Sequence, residues 1–144
     1  MQTVFRTCLG ELDHCIEANT NPFFVNLLGS RYGWIPTEAE VPDAVFNQYD
    51  WVTDVSITHM EILHGALRSH NPNAIFCLRD ASVLRDIPAT FQSHFVDSDP
   101  LAAAQLERLK AEIEERFAPS KQVARYSATV RGTDTSLGKT AAGG

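Results

Sequence analysis

The stretch "FFVNLLGSRYGWIP", residues 23–36, decides how the rest of the chain is read. It opens on a run that is apolar but for one Asn and closes on Gly, Arg and aromatics. A short strand apolar on both faces suits a parallel sheet covered by helices. The segment "GSRYGWIP" then lies at the carboxyl end of that strand, where open α/β sheets hold their ligands. Arg31, Tyr32 and Trp34 are placed to clamp a planar or anionic group. The plainer alternative is that Gly29 and Gly33 make the turn while Tyr32 and Trp34 cap the core.

Upstream, residues 3–17 put Phe5, Cys8, Leu9, Leu12 and either Cys15 or Ile16 at steps of three and four, one face of an amphipathic helix. "NTNP" (19–22) ends it, because Asn favours turns and Pro cannot continue a helix. Downstream, residues 29–54 read as loop, with Phe46, Tyr49 and Trp51 clustered in it. A second helix is expected over 56–67, with Ile57, Met60, Leu63 and Leu67 inward. "AIFCL" (74–78) reads as a second buried strand, followed by an irregular segment and a short helix or turn around 89–95.

"DSDP" (97–100) marks a helix start, with Asp99 as N-cap and Pro100 at the first helical position. That helix should reach Phe117, turning Leu106, Leu109, Ile113 and Phe117 to the core. Arg108, Glu112 and Arg116 alternate in charge at four-residue steps on its outer face. "QVARYSATV" (122–130) is the third strand. Helix and strand thus alternate three times, which predicts an α/β layer fold with parallel, right-handed crossovers. Three strands are few for such a sheet, so the expectation is an incomplete three-layer sandwich lacking one or more N-terminal strands.

The 144 residues suffice for one domain with a real core. Residues 1–128 form the expected α/β domain and 129–144 a flexible Gly- and Thr-rich tail. Within that tail "GTDTSLGKT" imitates a phosphate-binding loop, but five residues rather than four separate Gly132 from Gly138. A net charge of −6 and the lack of a basic run argue against direct nucleic-acid or anionic-membrane binding. No apolar stretch approaches the roughly 20 residues that cross a bilayer. Three cysteines, without C-x-x-C spacing, suggest a reducing, cytoplasmic setting.

Glu61 is the candidate catalytic residue. It falls near the start of the second helix, whose N-terminus should share the ligand edge with the 29–36 loop. A carboxylate there can serve as nucleophile or stabiliser at a ribosyl carbon. Its structural alternative is a capping box in "THME", with Thr58 as cap and Glu61 reaching back. Ser56 is an equally good cap, which would put His59 at the third helical position. Ser56 and Thr58 complete the candidate binding set with Arg31, Tyr32 and Trp34. His59 and His64 are five apart and so on different faces, and Cys8, His14 and Cys15 lack a second ligand cluster. No metal site and no cofactor are expected.

Four motifs, "CLGEL" (8–12), "FFVNLLGSRYGWIP", "SITHMEILHG" (56–65) and "AIFCLRD" (74–80), resemble in order and spacing a known family. It is the α/β domain that precedes the NACHT ATPase module in large repeat proteins, among them the telomerase-associated vault protein, nephrocystin and NACHT–WD-repeat proteins. The resemblance runs from about Thr7 to Tyr126. It implies a flavodoxin- or TIR-like fold and an accessory role in a scaffold, with other domains or proteins as partners. Relatives open with a "vFISSTFrDMqxERD"-type strand and helix that this sequence lacks, so truncation at the N-terminus is expected. His59 departs from the acidic residue common at its position. The TIR-like or deoxyribosyltransferase-like kinship implies a second possibility, cleavage of a nicotinamide or nucleoside glycosidic bond. Glu61 would then be the nucleophile, and Arg31, Tyr32 and Trp34 would hold the base or phosphate.

Overall fold

The computed structural model describes residues 2–130, so the tail and its imitation phosphate loop lie outside the described residues. Helix α1 spans Gln2–Ala18 and leads through the Asn-rich turn to strand β1, Phe24–Leu28. A 3-10 turn (Glu38–Glu40) and a short helix α2 (Asp43–Gln48) occupy the stretch read as loop. Helix α3, Ile57–Ile62, runs on into a π-helical turn at Leu63–Leu67. Strand β2 (Ala74–Arg79), a 3-10 turn (Ala81–Asp86) and helix α4 (Ala89–Gln92) follow. Helix α5, Pro100–Phe117, and strand β3, Val123–Tyr126, complete the order.

The strands lie in the order β1-β2-β3, all parallel. Helices α3 and α5 make the two crossovers, and both pack on one face of the sheet, as right-handed connections progressing in one direction must. Between them they bury Leu28, Ala74, Phe76 and Leu78 of the sheet under Ile62, Ala66, Leu67, Leu106, Leu109, Ile113 and Phe117. The predicted core positions of α5 are all there, and Asp99 caps it by accepting from Leu101 N–H at 2.9 Å. Glu112 pairs with Arg116, at 3.1 Å. Arg108 takes no part in an ion pair among the described residues.

The π turn has a packing reason. Gly65 lies so close to the ring of Phe24 that a Cβ would sit 2.4 Å from it. Without that side chain the helix settles directly onto β1. Asn71, buried beside it, donates to the carbonyls of Gly65 and Pro22 at 2.9 Å each and accepts from Asn73 N–H. A buried amide is tolerable because its donors and acceptor are all used. Helix α1 belongs to a second cluster: with α2 and the preceding turn it packs Phe5, Leu9, Val41, Val45, Tyr49, Val52 and Met60 against α3.

The opposite face of the sheet has no helix on it among the described residues. Val25, Leu27 and Ile75 there are 64, 71 and 45% exposed, and Phe23 just before β1 is 84% exposed. The α/β class and the parallel sheet are as expected from the sequence, and the structure is that of an incomplete sandwich. Strand β1 was expected to be covered on both faces, and here the structure differs. One face is packed and the other, equally apolar, stands open.

Candidate functional site

The 29–36 loop is held from within. Tyr32 is 1% exposed and joins the sheet core, whereas Trp34 is 42% exposed. The Tyr32 hydroxyl meets His59 Nδ1 at 2.6 Å, with the rings edge to face at 5.7 Å. Burial pushes the His59 pKa down, which favours the neutral imidazole beside the phenol. Burial likewise raises the Tyr32 pKa. The Tyr32 backbone N–H donates to Asp97, and Arg31 reaches the same carboxylate at 3.8 Å from an exposed position.

The start of α3 locks onto this loop. Ser56, fully buried, is the N-cap, its hydroxyl accepting from His59 N–H at 3.2 Å. Of the two caps that the sequence left open, Ser56 is the one used, and Glu61 is not part of a capping box. Gly33 adopts φ +94° and lies against Ser56 and Thr58. A left-handed backbone of this kind is easy only for glycine. Ile57 N–H then donates to Trp34 C=O at 3.2 Å. Arg31, Tyr32, Trp34, Ser56 and Thr58 are therefore brought together, with Tyr32 and Ser56 inside and the others at or near the surface.

Glu61 lies elsewhere. It lines a cleft of about 370 Å³ between α1 and the edge strand β1, with Thr7, Cys8, Glu11, Leu12, Cys15, Phe24, Val25 and Asn26. None of Arg31, Tyr32 or Trp34 reaches that lining. The Cys8 thiol is held protonated by burial first and by hydrogen bonding to Glu61 second. The Asn26 Oδ1 in the same wall is buried without a partner. The lining contains carboxylates and thiols but no cationic group and no exposed aromatic edge of Tyr or Trp to hold a base or a phosphate.

A third constellation was not visible in the sequence. Asp13 of α1 accepts hydrogen bonds from the hydroxyl of Tyr49 and from Gln48 Nε2 at 3.2 Å, and meets His64 Nε2 at 2.6 Å. Trp51 stacks on His64 at 5.6 Å, and Arg68 lies over Trp51 at 5.2 Å. Burial, then the Asp13 carboxylate, drives the Tyr49 pKa far up and keeps the phenol a donor. The group ties α1, α2 and the π turn into one unit. No local spacing could have announced it, since its members stand 36 and 51 residues from Asp13. Among the described residues no cluster of three or more His, Cys, Asp or Glu is disposed to hold a metal ion. No helix among them is long and apolar enough to cross a membrane.

Comparison with known proteins gives a relation at the level of sequence. The chain is similar to telomerase protein component 1 of Mus musculus, with 28% identity over 117 residues. That alignment covers 76% of this chain and 4% of the mouse protein. The protein of the same name from Rattus norvegicus matches to the same extent. A TPR repeat-containing protein of Dictyostelium discoideum is 29% identical over 120 residues, covering 74% of this chain and 7% of its own length. The chain thus spans a small fraction of the length of these relatives. No family model and no solved structure matches.

Proposed function

We propose that this chain is a non-catalytic interaction module of a large NACHT-type repeat scaffold in the cytoplasm. The observation that carries the reading is the open sheet face formed by Val25, Leu27 and Ile75. Parallel sheets are stable with both faces covered, and contiguous exposed apolar surface marks contact sites. The great length of the relatives and the TPR repeats for which one is named support a role within a larger assembly. Three free cysteines suit a reducing compartment. Beyond the carboxyl end of β1, Arg31, Trp34 and Thr58 offer a smaller polar and aromatic contact point beside buried Tyr32 and Ser56.

The competing reading, a glycosyl hydrolase or transferase acting through Glu61, is favoured by the cleft that this carboxylate lines. Against it stands the separation of Glu61 from the residues that would hold the substrate. One experiment divides the two. The chain is incubated with NAD and with nucleosides, and free base is measured beside a Glu61→Gln variant. The module reading expects no release above background from either. Base release that Glu61→Gln removes, with folding intact, would establish the enzyme instead.

A further inference from the structure

The open face ends in a charge. By strand alternation Val25 and Leu27 of β1, Ile75, Cys77 and Arg79 of β2, and Ala124 and Tyr126 of β3 share this side. Arg79 lies at its carboxyl end, over Gly29. A Cβ on Gly29 would come within 2.9 Å of the guanidinium, so the glycine makes room for it. The Arg79 Nε is buried without a hydrogen-bond partner. No carboxylate of the described residues pairs with Arg79. A buried cationic donor left unused is costly and is satisfied best by an anion.

We infer that this face receives an amphipathic α-helix of a partner protein, with a carboxylate in the helix's first turn that pairs with Arg79. The inference rests on the interaction-module reading and names the chemistry of the partner. Three strands at about 4.8 Å spacing present a strip about 10 Å across, the width of one helix. A helix lying antiparallel to the strands, as α3 and α5 do on the covered face, brings its N-terminus to the carboxyl ends. An acidic first turn is favoured there by the helix dipole and sits opposite Arg79. Leu, Ile or Phe at steps of three and four then meets Val25, Leu27 and Ile75.

The test uses the 144-residue chain and two fluorescent synthetic peptides of about five helical turns. Both carry Leu along one face, with Glu in the first turn of one and Lys in its place in the other. Anisotropy titration should show saturable binding, about tenfold or more tighter for the Glu peptide. Arg79→Gln should erase that preference and Arg79→Glu reverse it, whereas Leu27→Glu should bind neither peptide. Circular dichroism melting verifies that each variant is folded. Equal binding of both peptides, still lost in Leu27→Glu, overturns the acidic-helix inference and leaves the interaction reading standing. Binding of neither peptide by the folded parent chain overturns the helix inference, while the interaction reading stands or falls on the base-release experiment above. A dimer that Leu27→Glu converts to monomer in sedimentation would assign the face to a second copy and overturn the helix.

Discussion

On the two faces of the sheet, side chains of one chemical kind meet opposite surroundings. Ala74, Phe76 and Leu78 disappear under α3 and α5, while Val25, Leu27 and Ile75, one residue out of step, face outward. Composition does not separate the two sets. What separates them is connection: both crossovers pass on the same side, so one face receives two helices and the other receives none. The closed face therefore carries the packing of the sheet, and the open one is left uncovered by the described residues.

The comparison breaks most visibly under truncation. Phe76→Ala should cost about 3–5 kcal/mol in urea denaturation, because it leaves a cavity in packed core. Leu27→Ala should stay within about 0.5 kcal/mol. A large loss at Leu27 would mean that its face is covered in the isolated chain. The second effect concerns how closely a helix approaches β1. Gly65→Ala should cost about 1–3 kcal/mol through overpacking on Phe24. Gly10→Ala on α1, with nothing near its Cβ position, should instead stabilise by about 0.5–1 kcal/mol. Equal effects at the two glycines would contradict the account of the π turn.

Smaller effects sharpen the account of the loop beside the closed face. Tyr32→Phe removes the bond to His59 and should cost about 1 kcal/mol. His59 also makes stability depend on pH. Its folded pKa lies below the ordinary 6.5, so the unfolded chain binds the proton more readily. The contribution is present above that ordinary value and is lost as pH falls below it. His59→Gln should flatten this acid limb of a pH–melting profile. A limb unchanged by the substitution would place the titration elsewhere.

Much of the covered side could be read from the chain itself. Asp99-Pro100 announces α5, and the four core residues of that helix follow from their spacing. The strands at 24–28 and 74–79 fall within or beside the apolar runs that signal them. The π turn was not legible, because it answers to one contact between Gly65 and Phe24 that no periodicity encodes. The open face was not legible either. A strand apolar on both sides looks the same whether one face or both are covered. For the candidate site, spacing left Ser56 and Thr58 level as caps, and packing against Gly33 and Trp34 accompanies the choice of Ser56. The separation of Glu61 from the loop arises because it looks toward α1 and the β1 edge. The Asp13, Tyr49 and His64 contacts join distant segments and have no local signature.

The claim that the open face is the contact surface is tested most directly by site-specific photo-crosslinking. A photoreactive residue is introduced at position 27 or, as control, at Leu101, an exposed apolar position on α5. The account predicts discrete protein adducts from position 27 in cells expressing the chain and none from position 101. Adducts of equal pattern from both, or none from position 27 in a folded protein, would contradict it.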